Sequence, residues 1–172
     1  MGYEFHRIFC GTPWELEPER EAFYAAMTDV NECEAMKEGI LLVSLSILPQ
    51  VASLAAFQSA IDDNIRSSRH YIQVLDSTWG PPMRSFEKSF ELARKCVADP
   101  AMPMREVALM WKTTEQPLEI KLQALKDTAP GDLRIFEFAD TESFQRQVRG
   151  LLTQWLQCLL AERHRPGNPG PF

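Results

Sequence analysis

Residues 40–45 read ILLVSL, a nearly continuous run of apolar side chains. A strand with this composition has both faces covered, and such strands are typical of parallel sheets that lie between two layers of helices. The stretch therefore predicts an α/β architecture, provided that strands and helices alternate along the rest of the chain.

Segments with strand and helix periodicity do alternate on both sides of this run. The predicted strands cover residues 3–10, 40–45, 70–75, 106–111 and 132–138. The predicted helices cover residues 17–36, a segment after Pro49, a segment that begins near Ser85, residues 118–125, and a last helix capped by Asp140 or Thr141. In this last helix apolar residues recur every three or four positions, at Phe144, Val148, Leu152, Trp155 and Leu159.

Five strands that alternate with five helices predict a single domain, residues 1–163, with a five-stranded parallel sheet and helices on both faces. Right-handed crossovers leave few strand orders, and we expect the flavodoxin-like order 2-1-3-4-5 in a three-layer fold. The remaining residues, 164–172, include three prolines and two glycines, and we expect this tail to be disordered.

The charge balance and the residues that bind metals disfavour several classes of protein. Asp and Glu number 24 against 18 Lys and Arg, and the net charge of −6 disfavours nucleic acid and anionic membranes as partners. No apolar run approaches the ~20 residues of a membrane helix, and no signal peptide is recognisable, which predicts a cytoplasmic protein with reduced thiols. The cysteines and histidines lack metal-ligand spacing, so no metal site is expected.

Two cysteines have a position that suggests a role. Cys10 closes the first predicted strand beside a turn, where it is either an exposed, reactive thiol or a small buried side chain. Cys158 lies in the apolar stretch 151–160 of the last helix, which predicts that it packs in the core.

Open α/β sheets bind ligands outside the carboxyl ends of their strands, where the strand order reverses. In the order 2-1-3-4-5 this point lies between the first and third strands. The loops and helix start that meet there provide the candidate site residues Gly11, Thr12, Trp14, Asp76, Ser77, Trp79, Gly80, Arg84, Ser85, Glu87 and Glu91. Lys112, at the end of the fourth strand, lies further out.

These residue types suit a nucleotide-like ligand. A helix N-terminus attracts phosphate, and Arg84 is able to bind phosphate through two hydrogen bonds. Trp14 and Trp79 offer ring faces for a base or a nicotinamide. Glu87 or Glu91 would hold a ribose hydroxyl or stabilise positive charge that develops at a sugar carbon.

Each residue type also has a purely structural explanation, and the sequence leaves both open. Tryptophans near strand ends often cover the core, Ser85 would serve as a helix N-cap, and Glu87 would interact with the helix dipole. Asp76 would hydrogen-bond its own loop, and Glu91 would be a solvated surface residue. The chain has no GxGxxG motif after its first strand, no phosphate-binding lysine loop and no GxSxG elbow, so those mechanisms are disfavoured.

Several segments carry a likeness to a known family. They are LEPEREAF at 16–23, IRSSRHYIQVL at 65–75, Trp79-Gly80, the glutamate-containing stretch 85–93 and IFEF at 135–138. On these residues the chain resembles the TIR-like domains of unknown function that often precede multidomain signalling NTPases. Those domains are similar in turn to the TIR, SEFIR and nucleoside deoxyribosyltransferase folds.

The resemblance implies a cleft compatible with phosphate or nucleotide, and in some members cleavage of an N-glycosidic bond in NAD or a nucleoside. In the enzymes a glutamate early in the helix after strand three is catalytic. Counted from Ala93, the matching position here is Ser89, and the glutamates are displaced to Glu87 and Glu91.

The leading interpretation is therefore a non-catalytic signalling or assembly module. Such a module would bind a protein partner or a second copy through its helical faces, and it would require no cofactor. NAD or a nucleotide is the candidate ligand. The alternative is an NAD or nucleoside glycosidase or transferase that uses Glu87 or Glu91 beside Asp76.

Overall fold

The computed structural model describes residues 2–45, 53–80, 86–129 and 131–164. The strands are β1 (Glu4–Gly11), β2 (Ile40–Ser44), β3 (His70–Leu75), β4 (Glu106–Lys112) and β5 (Arg134–Phe138). The α-helices are α1 (Glu17–Cys33), α2 (Leu54–Ser67), α3 (Phe86–Ala98), α4 (Ile120–Thr128) and α5 (Thr141–Arg163). Short 3-10 helices cover Trp14–Leu16 and Ala35–Glu38.

All strand pairs are parallel, and the sheet order is β2-β1-β3-β4-β5. The fold is flavodoxin-like. This confirms the predicted class and strand order. Helices α1 and α5 cover one face of the sheet, and α2, α3 and α4 cover the other, so that each face has its own apolar cluster. None of the described helices has both the length and the apolar character needed to cross a membrane.

The positions of β2 and β3 in the sheet decide how deeply each strand is buried. All six residues of β3, the central strand, are buried. The apolar run that suggested double coverage belongs instead to β2, an edge strand, where only Ile40 and Leu42 are fully buried. The expectation that both faces of residues 40–45 are covered is therefore met only in part, because the side chains of Leu41, Val43 and Ser44 are only half-buried.

The predicted boundaries of two helices and one strand differ from the structure by several residues. The segment predicted as one helix over 17–36 leaves the α-helix after Cys33 and tightens to 3-10 geometry before Gly39, whose φ of 69° is left-handed. The fourth helix starts at Ile120 rather than at Leu118, and it continues to Thr128. Strand β5 starts at Arg134, two residues later than predicted.

The long last helix follows its sequence pattern closely. Asp140 forms a capping box with Ser143 at the start of α5, as one of the two predicted caps. The five apolar residues that defined its inner stripe are all buried. Cys158 lies at the edge of that stripe and is exposed, so the prediction that it packs in the core is wrong. Helix α5 ends at Arg163, and the tail 165–172 lies outside the described residues.

The exposed edge of β2 is covered by a side chain from α1. The Asn31 amide donates to the Leu42 carbonyl oxygen and accepts from the Leu42 backbone N–H, both at 2.9 Å. A carboxamide that bonds both groups of one residue reproduces the pairing that a further strand would make. Asn31 thus satisfies the outward-facing backbone of Leu42 at an edge that carries no charged residue.

Candidate functional site

The candidate residues of the first loop lie at the carboxyl end of β1. Thr12 is half-buried, with its hydroxyl oxygen 3.4 Å from Cys10 Sγ. Trp14 is 60% exposed, and the Arg20 guanidinium lies 4.9 Å from the centre of its ring. Cys10 is only half-buried, and burial raises the pKa of its thiol to about 12, which disfavours a reactive thiolate at neutral pH.

Gly11 is needed because two polar side chains of β3 fill the space beside it. A Cβ at this position would lie 2.8 Å from Gln73 Oε1 and 3.2 Å from the Tyr71 hydroxyl. Tyr71 donates to Gln73 Oε1 at 2.6 Å, and Gln73 Nε2 donates to the Gly11 carbonyl oxygen at 3.0 Å. Both side chains are fully buried. The space between the ends of β1 and β3, where the strand order reverses, is therefore filled by protein beside Gly11. Gln73 is missing from the sequence-derived site, although a polar residue inside an apolar strand was a usable signal.

Asp76 and Ser77 stabilise the loop after β3. Asp76 Oδ1 accepts the backbone N–H of Ser77 at 2.5 Å and that of Thr78 at 3.4 Å. Ser77 is buried, and its hydroxyl donates to Gln116 Oε1 at 3.3 Å. The contacts of Asp76 are those of the structural alternative, a side chain that holds its own loop.

Trp79 packs in the core rather than along an open cleft. Its side chain is 4% exposed and lies against Phe90, with ring centres 5.3 Å apart. Its backbone N–H donates to Glu119 Oε2 at 3.0 Å. The next residue, Gly80, has a left-handed φ of 87° and donates its N–H to the Thr78 hydroxyl. This burial favours the core-covering explanation of Trp79 over a ring that stacks on a base.

The two glutamates of α3 differ in their surroundings. Glu87 is half-buried and binds Lys121 of α4, with both carboxylate oxygens 2.8 Å from Nζ. The hydrogen bond and the charge of Glu87 raise the pKa of Lys121. Glu91 is exposed, and Arg84 and Ser85 lie outside the described residues.

A buried ion pair lies at the same end of the sheet. Glu19, in the first turn of α1, is fully buried and accepts from Lys112 Nζ at 2.7 Å. The Thr141 hydroxyl donates to the same carboxylate oxygen at 3.4 Å. Sequence reasoning placed Lys112 outside the site and gave Glu19 no role, because an acidic residue in a first helical turn is explained by the helix dipole alone.

The start of α1 is unfavourable for phosphate. Glu15 and Glu17 are exposed beside the buried Glu19, and Pro18 removes one backbone N–H from the first turn. Carboxylates at a helix N-terminus take the place that a phosphate would occupy in the field of the dipole. Among residues 2–45, 53–80, 86–129 and 131–164, no three His, Cys, Asp or Glu side chains are grouped so as to hold a metal ion.

No family model and no curated protein matches this chain. Two of the solved structures that it matches are similar to it at low identity and low TM-score. The D319A mutant of the PilB minor pilin from Streptococcus sanguinis is 10% identical with a TM-score of 0.48, covering 96% of this chain and 64% of its own. General stress protein 14 from Treponema denticola, in complex with FMN, is 14% identical with a TM-score of 0.41, covering 91% and 99%.

This chain thus spans less than two thirds of the pilin chain. Neither protein is named as a TIR domain. The fold class stands on the strand order and pairing of the sheet.

Proposed function

We propose that the chain is a non-catalytic signalling or assembly module of the TIR-like type, which acts by binding another protein. The observation that carries this proposal is the state of the three carboxylates that an enzyme would need. Asp76 holds its own loop, Glu87 is paired with Lys121, and Glu91 is exposed. A glycosidase requires a carboxylate that is positioned at the reacting sugar. Asp76 and Glu87 are instead engaged by other groups of the protein, and Glu91 faces solvent.

Ser89 adds to this argument. The TIR-like resemblance puts the catalytic glutamate of the enzymes at this position, and Ser89 is buried on the inner face of α3. A buried hydroxyl has no charge with which to stabilise an oxocarbenium ion. The proposal therefore assigns the module a binding role without turnover.

The outer surface of α1 is the surface that we assign to binding. We define it as Trp14 of the preceding 3-10 helix together with Arg20, Tyr24 and the glutamates around them. Trp14 is 60% exposed and Tyr24 is 37% exposed, and both are among the large apolar side chains at the surface. Trp, Tyr and Arg are the residue types that contribute most often to binding energy at protein interfaces.

Charge indicates the chemistry of the partner. The exposed Glu15, Glu17 and Glu21 accompany the two aromatic rings on the outer surface of α1, and the whole chain carries a net charge of −6. Lysine and arginine side chains pair with carboxylates and bind over aromatic rings. The proposed occupant is therefore a basic segment of a partner protein.

A photo-crosslinking experiment tests the binding role. A photoreactive amino acid at position 24 should capture one discrete protein in cells of the source organism, and Trp14→Ala should abolish the adduct. The matched control carries the same group at Gln154, an exposed position of α5, and should capture nothing. Equal capture from both positions, or none from position 24, would count against this surface, as would a captured protein whose contact segment is acidic.

A separate experiment tests the absence of catalysis. The protein is incubated with NAD and with a panel of nucleosides, and free base is measured by chromatography. We expect none above the buffer control. Release of base that is lost in the Glu87→Gln, Glu91→Gln double variant would replace this proposal with the glycosidase alternative. Binding of NAD or a nucleotide without turnover is measured in parallel by thermal shift, since a ligand at 100 times its Kd adds ~2.7 kcal/mol of stability.

A further inference from the structure

A second group of ionisable side chains lies at the amino ends of the strands, opposite the candidate site. His6 of β1 and His70 of β3 are both buried, on the side of the sheet that α5 covers. The His70 ring stacks on Trp155 of α5, with ring centres 4.1 Å apart and planes 13° apart. About two turns before its end, α5 therefore rests on a buried imidazole.

Ion pairs attach the last turn of α5 around these rings. Arg163 donates to Glu4 Oε2 at 2.6 Å and to the Glu38 carbonyl oxygen at 2.7 Å. Glu162 pairs with Arg69, the residue before His70. Both ion pairs, Arg163 with Glu4 and Glu162 with Arg69, must break before the end of α5 is able to leave the sheet.

The charges around the two histidines are unequal. Glu4 Oε1 lies 3.0 Å from His6 Nε2, so a proton on His6 has a carboxylate partner. Three charged or ionisable groups act on His70: Arg69, directly before it in the chain, His6 of β1, and Arg105, the residue before β4. Each of them disfavours a positive charge on the His70 ring and so lowers its pKa. Among the described residues, His70 Nδ1 and Trp155 Nε1 are buried and make no hydrogen bond. Stacking on the Trp155 ring favours a proton on His70, but among the described residues the charges that act on it all oppose that proton, and burial opposes it as well.

We propose that His70 is an acid-sensitive latch for the carboxyl-terminal turns of α5: protonation of its imidazole drives those turns off the sheet. In the closed state burial lowers the pKa of His70 to about 3, with the charges of Arg69, His6 and Arg105 acting in the same direction. Burial also lowers the pKa of His6, against the opposing effect of Glu4.

The sign of the effect follows from linkage. The folded pKa of His70 is below its unfolded value of about 6.5, so the open state binds the proton. The closed state is fully stable above pH 6.5, and the open fraction rises about tenfold for each pH unit below that value. Between pH 7.5 and pH 5.0 His70 alone should raise the open fraction by up to about 30-fold, the limit in which its pKa returns to the unfolded value once α5 has left.

Hydrogen exchange measured by mass spectrometry tests the latch. Protection of the peptide that covers 155–163 is compared at pH 7.5 and 5.0, after correction for the intrinsic exchange rate. Arg163 keeps the pKa of Glu4 below its usual range, so this carboxylate stays ionised at pH 5.0. We expect protection to fall by up to about 30-fold in these turns and much less in α3, which covers the other face of the sheet.

Two variants separate the contribution of the His70 imidazole to the pH dependence from that of the other ionisable groups. His70→Phe preserves a ring against Trp155 without a titratable group and should remove most of the pH dependence, whereas His6→Asn should preserve most of it. A change below threefold in the wild-type protein, an equal loss of protection in α3, or full pH dependence in His70→Phe would each overturn the latch. If His70→Phe does not fold, NMR of the wild-type imidazoles decides, since a His70 that protonates above pH 5 contradicts the proposal.

Discussion

Replacement of Asn31 by alanine should both destabilise the protein and expose an edge of the sheet. Asn31 makes two partly buried hydrogen bonds to the backbone of Leu42, each at 2.9 Å. At about 0.5–1.5 kcal/mol for each bond, their loss costs about 1–3 kcal/mol. Alanine is the better helix former by roughly half a kcal/mol, which offsets part of this loss. Urea denaturation should therefore report a net destabilisation of about 0.5–2.5 kcal/mol.

The second effect is self-association. Strand β2 contains no charged residue and no proline, the two devices that usually protect a strand edge, whereas the opposite edge strand carries Arg134 and Glu137. Without the Asn31 carboxamide, the N–H and carbonyl of Leu42 are open to the edge of another copy. Size-exclusion chromatography with light scattering should show concentration-dependent association beyond that of the wild-type protein.

Two further variants separate the two effects. Thr28→Ala, at an exposed position one turn earlier in α1, measures the gain in helix propensity alone and should not promote association. Ser44→Lys in the Asn31→Ala background adds a charge to the edge strand, and it should suppress association without restoring the lost stability. The reasoning is refuted if Asn31→Ala is as stable as Thr28→Ala, or if association persists unchanged with the added lysine.

Three other predictions follow from contacts at the carboxyl end of the sheet. Gly11→Ala places a Cβ 2.8 Å from Gln73 Oε1, and calorimetry should report a lower Tm, equivalent to about 1–3 kcal/mol, because both neighbouring elements are packed. Lys112→Met leaves the buried Glu19 carboxylate without its cation and should destabilise by up to about 3–5 kcal/mol in urea at pH 7, with recovery when Glu19→Gln is added. The half-buried Cys10, with a thiol pKa of about 12, should react with a thiol reagent at pH 7.5 much more slowly than the exposed Cys33 and Cys158, and equally early labelling of Cys10 would contradict its raised pKa.

The fold could be predicted from the sequence because hydrophobic periodicity is a local signal for each helix and strand. Topology rules then restrict the orders in which the predicted strands are able to pair. Apolar residues recur at helical spacing from Phe144 to Leu159, and in the structure this stripe of α5 is buried. Strand depth is not local in this sense. His70 and Gln73 make residues 70–75 less apolar than residues 40–45, yet the former strand is central and fully buried. Which strand lies in the middle depends on how all five strands assemble.

The site was harder to predict because a residue type does not say which way its side chain points. Trp14 and Trp79 both follow strands, and the sequence gives no reason to expect different surroundings for them. In the structure Trp14 is exposed, whereas Trp79 is buried against Phe90. Glu19 and Lys112 are 93 positions apart, and only the fold brings their charges together. Pairing of this kind has no signature in spacing, so the buried carboxylate was not recognised.

The contacts at the carboxyl end of the sheet also bear on where a partner is able to bind. A ligand that occupied the space beside Gly11 would have to break the bonds that join Tyr71, Gln73 and Gly11. Each buried polar group left unpaired costs about 1–3 kcal/mol, so such a ligand must replace every bond that it removes. Trp14 and Tyr24 expose ring surface already, and a partner that covers them gains apolar burial without breaking these interior bonds. This difference supports the outer surface of α1 that we propose for binding over a site that displaces these interior bonds.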